Sequence, residues 1–183
     1  MQPITLYIFV HDDVTLSTNT LGRQYFKDFT DEITALTGRQ FVFNIIRNLP
    51  GVTDFMYKSE DEQDVMDRWR GAAEEYKNAH NLGWTKTERY ILVIKDGINN
   101  RVIGGANRRQ PALIASTTVY QAIAHEVGHS FDATHADGEL SWNALGVVCE
   151  TYMYPETDKL RANCYRYSAE NRERITAFLS DAP

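Results

Sequence analysis

Three apolar stretches alternate with two helical hydrophobic patterns in the first half of this 183-residue chain, and this order limits the possible folds strongly. The strand candidates are residues 4–10, 41–46 and 89–95. The third is apolar at every central position, which is typical of a strand buried on both faces of a sheet. A βαβαβ order predicts a mostly parallel sheet with helices packed against it. Residues 101–106 and 112–116 then predict a pair of short strands.

Apolar residues recur at helical spacing between these strands. The first helical face stops before Gly38 and consists of Leu21, Tyr25, Phe29, Ile33 and Leu36. The second follows Ser59 and Glu62, which have the spacing of a capping box, and consists of Val65, Trp69, Ala73, Tyr76 and His80. Residues 168–179 predict a closing helix.

Composition narrows the class of protein. With 43% hydrophobic and 24% charged residues the chain is typical of a globular protein. Its net charge of −6 argues against nucleic acid or an anionic membrane as the main partner. The longest apolar stretches, such as residues 90–94, are too short to span a bilayer. The sequence also shows no N-terminal signal-peptide pattern.

The two cysteines, Cys149 and Cys164, have no CxxC spacing, which excludes a four-cysteine zinc module. A disulfide between them is the preferred interpretation, and two buried reduced thiols are the alternative. A disulfide favours an exported protein, here a mature domain without its signal peptide. A cytoplasmic location is the alternative.

Residues 118–137 contain the densest group of chemically active side chains. On a helix that advances about 100° per residue, one stripe is apolar and consists of Val119, Ile123, Val127 and Phe131. His125 and His129 lie about 40° apart on roughly the opposite side. An i, i+4 pair of imidazoles supplies two nitrogen ligands to Zn²⁺ without distortion.

Glu126 is rotated by about 100° from His125, so it is poorly placed as a ligand and well placed as a general base. His135 adds a third imidazole six residues after His129. In a chain of this composition HExxH arises by chance with a probability of about 0.01, and the further histidine lowers that to about 0.0002. The pattern predicts one catalytic zinc. His11 and His80 are interpreted as ordinary structural residues.

This segment resembles the metzincin clan of zinc metallopeptidases, whose signature is HExxHxxGxxH followed by a Met-turn. His125, His129 and His135 match the ligand positions, and Glu126 matches the base. The Met-turn would be residues 151–155 around Met153, and its Met-x-Pro ending is most similar to the adamalysin or reprolysin branch.

The resemblance implies a single catalytic domain over residues 1–183, of α+β or α/β class. Its mostly parallel twisted sheet has an antiparallel edge strand, and two long helices and an active-site helix accompany it. Residues 1–131 would form the N-terminal subdomain, and residues 132–183 a small irregular C-terminal subdomain that holds the third ligand and ends in a helix. Met153 would form the floor of the site, and Tyr154, Pro155 and Leu160 would line the substrate pocket.

Asp132 departs from this pattern, because the family has glycine there. Aspartate tolerates left-handed dihedrals better than most residues. Its carboxylate either accepts a hydrogen bond from a ligand histidine or is a helix-end group with no such role. Glu150 is a rival third ligand, since it lies 21 residues after His129, a spacing similar to that of the gluzincins. Tyr154 is not counted as a ligand.

The sequence therefore predicts a zinc-dependent metalloendopeptidase that uses Glu126 as its base. A protein or peptide substrate would bind extended in a cleft, along the edge strand of residues 101–106. No nucleic acid or membrane span is expected, and a monomer is favoured. The alternative is a zinc-containing binding or toxin-like module of the same fold with very narrow or no proteolytic activity.

Overall fold

A computed structural model describes residues 1–143, 145–155 and 161–182. Its larger sheet contains five strands: β1 (Ile4–Val10), β2 (Phe41–Ile46), β3 (Glu88–Ile94), β4 (Gly104–Ala106) and β5 (Ala112–Ser116). The spatial order is β2-β1-β3-β5-β4, in which β4 alone runs antiparallel to its neighbour among these five. The prediction of a mostly parallel sheet with an antiparallel edge strand is confirmed. The edge strand is shorter than predicted, because residues 101–103 are not part of it.

Helices cover both faces of this sheet. They are α1 (Thr18–Leu21), α2 (Lys27–Thr37), α3 (Glu62–Ala79), α4 (Ala122–Ser130) and α5 (Ala169–Ser180), with a π-helical turn at Gly22–Phe26. Helix α3 packs on one face, and the other helices share a core with the opposite face. Coverage on both faces explains the burial of β3 from Arg89 to Ile94. None of the helices in the described ranges is long and apolar enough to cross a membrane.

The ends of the helices follow local chemistry. Gly38 ends α2 with a left-handed φ of 71°, and its N–H donates to Thr34 O. The predicted capping box of Ser59 and Glu62 is wrong, because Asp61 is the residue with an extended backbone before α3. Its carboxylate accepts from the Asp64 N–H at 3.0 Å.

The segment after α4 forms a second, small sheet of β6 (Leu140–Trp142), β7 (Val148–Glu150) and β8 (Ala162–Asn163). A disulfide joins Cys149 of β7 to Cys164, which directly follows β8. Of the two interpretations of the cysteines, the structure has the disulfide. Met153 and Tyr167 from this segment pack in the same core cluster as Val127 of α4.

Candidate metal centre

Helix α4 presents its apolar stripe to the core and its histidines to the opposite side. Ile123, Val127 and Phe131 are fully buried, whereas His125 and His129 are half-buried. The end of the helix is tied to the sheet by Arg89 of β3, whose guanidinium donates to Ser130 Oγ and Ser130 O, both at 2.7 Å. The same guanidinium lies over the Phe131 ring at 4.1 Å. These contacts fix the helix that carries two of the predicted ligands.

The structure brings the three predicted ligands together. His135 Nε2 lies 2.8 Å from His125 Nε2 and 3.0 Å from His129 Nε2. In the described ranges these three histidines are the group of side chains that could hold a metal ion. His135 approaches from a short 3₁₀ turn, His135–Asp137, beyond the end of α4.

In two of these rings, the other nitrogen, Nδ1, hydrogen-bonds a backbone carbonyl group. His125 Nδ1 donates to Tyr152 O at 2.7 Å, and His129 Nδ1 donates to Ala133 O at 3.0 Å. A carbonyl only accepts, so the proton is on Nδ1 and the Nε2 lone pair faces the site. Burial lowers the pKa of His125 to about 3, aided by the neighbouring His129, and burial also lowers the pKa of His129. Both rings are therefore neutral at pH 7, as metal ligation requires.

The turn that carries His135 is held by α5. Asn171, which is fully buried, accepts from the Thr134 N–H at 2.8 Å and donates from Nδ2 to Thr134 O at 3.1 Å. Asp137 at the end of the turn pairs with Arg174 at 2.5 Å. Sequence analysis missed Asn171, because 36 positions separate it from His135 and no short-range pattern links them.

The donor set fits zinc. A tetrahedral Zn²⁺ with Zn–N bonds of about 2.0–2.1 Å separates its nitrogen ligands by about 3.3 Å. The two Nε2 separations of 2.8 and 3.0 Å are a few tenths shorter, so small side-chain rotations would open the group to that size. Three neutral imidazoles are the ligand set of an open catalytic zinc site, which keeps a fourth position for water or substrate.

Glu126, which follows His125 on α4, is buried. Its side chain lies between α4 and the edge strand, and Oε1 is 3.1 Å from where a Cβ on Gly104 of β4 would stand. Glycine at that position thus leaves room for the carboxylate. Burial raises the pKa of Glu126 to about 8, because the charged form loses solvation.

Asp132 takes the left-handed conformation that the family glycine would provide, with φ of 80°. Its backbone N–H donates to His129 O at 3.0 Å and closes the helix. Its carboxylate binds no histidine; it accepts hydrogen bonds from Arg108 Nε and, at 2.8 Å, from Arg109 Nη2. Both arginines belong to the loop between β4 and β5, so Asp132 links the end of α4 to the edge of the sheet. Sequence analysis missed both arginines.

Met153 packs against α4 at Gly128, the residue before His129. It is fully buried, and Sδ lies 2.5 Å from where a Cβ on Gly128 would stand. Tyr167 Cε1 lies 2.8 Å from the same point, and its hydroxyl donates to Ala124 O at 2.7 Å. Glycine at position 128 therefore allows Met153 and Tyr167 to approach the helix backbone.

The other predicted site residues are placed as follows. Tyr154 is half-buried, with its ring under the Arg161 guanidinium at 5.2 Å, and Pro155 is exposed. Leu160 lies outside the described residues. The rival ligand Glu150 is buried in β7, where Oε1 lies 3.3 Å from Arg161 Nη1, and it is not part of the three-histidine group.

The remaining two histidines have structural contacts. His11 Nε2 hydrogen-bonds Phe55 O at 2.9 Å. His80 stacks on Tyr76 with ring centroids 4.0 Å apart. Neither belongs to the three-histidine group.

No protein-family model matches the sequence, and no curated protein does. Among solved structures, a zinc-dependent peptidase from Methanocorpusculum labreanum (strain Z) superposes with a TM-score of 0.49 and 18% sequence identity, over 93% of this chain and 99% of that one. Similarity at this level does not establish a shared family. A functional assignment therefore has to rest on the site itself.

Proposed function

We propose that the chain is a zinc-dependent metalloendopeptidase with His125, His129 and His135 as the zinc ligands. The observation that carries this proposal is the convergence of the three histidine side chains, together with the burial of Glu126, the residue that follows His125 on α4. A structural zinc site is closed by four protein ligands and has no use for a base next to it. This arrangement instead leaves a coordination position and supplies a proton acceptor.

Glu126 acts as the general base. Zinc, when bound, acidifies a coordinated water and polarises a carbonyl group. The Glu126 carboxylate accepts the proton of the attacking water and then donates it to the amine that leaves. Burial that raises the pKa of Glu126 towards neutral pH favours this role, since a group with a pKa near the working pH can both accept and donate a proton.

The substrate binds as an extended peptide along β4. This strand is one of the two edges of the sheet, and Gly104 on it adjoins the Glu126 side chain. Adding a peptide strand to a sheet edge brings main-chain hydrogen bonds and places alternate side chains on opposite faces. Met153 would be the floor of the site, and Tyr154 and Pro155 would line the pocket that receives the substrate side chain after the scissile bond.

The finer assignments belong to the same proposal. They are metzincin membership near the adamalysin branch, one catalytic domain divided at residues 131 and 132, a monomeric state, and export from the cell. The disulfide supports export, because such bonds persist in oxidising compartments.

Replacing Glu126 by glutamine tests the proposal. The variant keeps the shape of the side chain but cannot accept a proton, so peptide hydrolysis should fall by at least about 100-fold while bound zinc is retained. Cleavage of a peptide library by the zinc-loaded native chain, followed by mass spectrometry, is the measurement. Comparable turnover in the variant would show that Glu126 is not the base. Zinc binding without cleavage by the native chain would favour the binding-module alternative.

A further inference from the structure

A small groove separates the first turn of α3 from the edge strand β4. Its volume is about 150 Å³, and its lining includes Glu62, Gln63, Met66, Ile98, Val102 and Gly105. The groove adjoins the same strand along which the proposed substrate would lie.

The two glycines of β4 show which way neighbouring positions of that strand face. A Cβ on Gly104 would stand 3.1 Å from Glu126 Oε1, whereas a Cβ on Gly105 would stand 2.9 Å from Met66 Sδ. Gly104 thus faces the histidine side of the sheet, and Gly105 faces α3 and the groove. A peptide strand added beside β4 alternates in the same way, so every second side chain points towards the groove.

The groove has an apolar floor and one carboxylate, that of Glu62, at its rim. Met66 and Ile98 are buried, and Val102 is half-buried. Glu62 is exposed, and within the described ranges its carboxylate forms no ion pair. By contrast, the carboxylate of Asp64 on the same turn is paired with Arg68 at 2.8 Å. Glu62 therefore offers an unneutralised negative charge beside an apolar surface.

We propose that this groove is a specificity subsite for a lysine or arginine side chain of the peptide substrate. Such a side chain places its methylene stem on apolar surface and keeps its charged end at the polar edge. Met66 and Ile98 would contact the stem, and the Glu62 carboxylate would pair with the cation. The inference rests on the proposed function, since it takes β4 as the strand that binds the peptide.

Peptide binding to the Glu126→Gln chain tests the subsite without consuming the peptide. The probes are labelled peptides in which one lysine, or one norleucine of similar length, is moved along an otherwise uncharged sequence. Fluorescence anisotropy should show lysine preferred over norleucine by about three- to fivefold at a position that points towards the groove. High salt should reduce this preference, because the groove is open to solvent.

Two substitutions at Glu62 and one control decide the outcome. Glu62→Gln should abolish the preference for lysine, and Glu62→Lys should replace it with a preference for glutamate. Glu74→Gln makes the same charge change on the exposed surface of α3, about 18 Å along the helix, and should leave the preference unaltered.

Equal binding of the lysine and norleucine peptides, a preference that survives Glu62→Gln, or absence of any peptide binding would overturn the subsite. Cleavage by the native chain is measured in parallel and reports on the proposed function. A native chain that cleaves nothing, while its Glu126→Gln variant binds lysine peptides through Glu62, would refute the peptidase and keep the subsite.

Discussion

Asp132 shows how one side chain can replace a glycine and add a contact that glycine cannot make. Its left-handed φ of 80° lets the chain leave α4 and return to His135. That conformation costs an aspartate about 1 kcal/mol or more. The hydrogen bonds from Arg108 and Arg109 offset the cost. The same contacts attach the loop after the edge strand to the helix that carries His125 and His129.

We expect Asp132→Asn to lower the free energy of unfolding at pH 7 by about 1–2 kcal/mol. Asparagine tolerates the same dihedrals, so the variant isolates the loss of charge. Burial alone would raise the pKa of Asp132, but the hydrogen bonds from Arg109 and Arg108 hold it at about 2, below the ordinary 3.8. The stabilisation is therefore complete above about pH 4 and is lost as the pH falls towards 2.

Urea unfolding of the native chain and the variant at pH 7, 4 and 2.5 measures this difference. The difference in unfolding free energy between the two proteins should become steadily smaller as the pH falls. Asp67→Asn, at an exposed position on α3, is the matched control and should show no such trend. A constant difference between the native chain and Asp132→Asn across this range would contradict the ion-pair account.

Helix α4 depends on close contact with the segment that follows it. Gly128 is the point of contact, because Met153 and Tyr167 occupy the space that a Cβ would need. The carbonyl of Tyr152, next to Met153, also holds Nδ1 of His125. The residues that pack at Gly128 therefore adjoin the carbonyl group that orients the His125 ring.

Gly128→Ala should destabilise the protein by about 1–3 kcal/mol, because the added methyl group would overlap Met153 Sδ and the Tyr167 ring. This cost outweighs the gain of about 1 kcal/mol that alanine brings to a helix interior. Thermal unfolding is the measurement. Gly71→Ala in α3, where nothing lies within 4 Å of the new Cβ, is the control and should raise stability by about 0.5–1 kcal/mol. Equal stabilisation in both variants would show that the Gly128 contact is not tight.

Periodicity predicted most helices and strands because most of these elements are amphipathic or continuously apolar. The continuous apolar run of β3 and the stop at Gly38 are examples. Contacts between residues that are far apart in the sequence produce no periodic pattern, so they could not be predicted in this way. Asn171, which holds the turn before His135, and Arg108, which pairs with Asp132, are ordinary polar residues until the fold brings them together. The α3 cap was missed because Ser59, Asp61 and Glu62 are all plausible at a helix start, and only the backbone selects Asp61.

At the scale of the whole molecule, the three-histidine group lies where α4 meets the C-terminal segment, and a disulfide closes a loop within that segment. Cys149 and Cys164 are 15 positions apart and flank Met153. The three histidines lie outside that loop, before Cys149. Reducing the disulfide should therefore affect the stability of the fold more than the binding of zinc.

Reducing the disulfide should lower the stability of the protein by about 3 kcal/mol, because a 15-residue loop regains entropy in the unfolded chain. Bound zinc should be retained in the reduced folded protein. Thermal unfolding with and without reductant, alongside metal analysis of both samples, measures the two effects. The Cys149→Ser/Cys164→Ser double variant, which has no thiol to reduce, serves as the control and should not respond to reductant. An unchanged melting temperature on reduction of the native chain would contradict the prediction.

The zinc content of the native chain and of His129→Ala tests the proposed metal centre most directly. After dialysis against metal-free buffer, elemental mass spectrometry should find one zinc per native chain and almost none in the variant, because two imidazoles hold the ion far more weakly than three. His80→Ala, which removes a histidine stacked on Tyr76 away from the site, should keep the full complement. A full complement of zinc in His129→Ala would contradict the assignment of the three histidines.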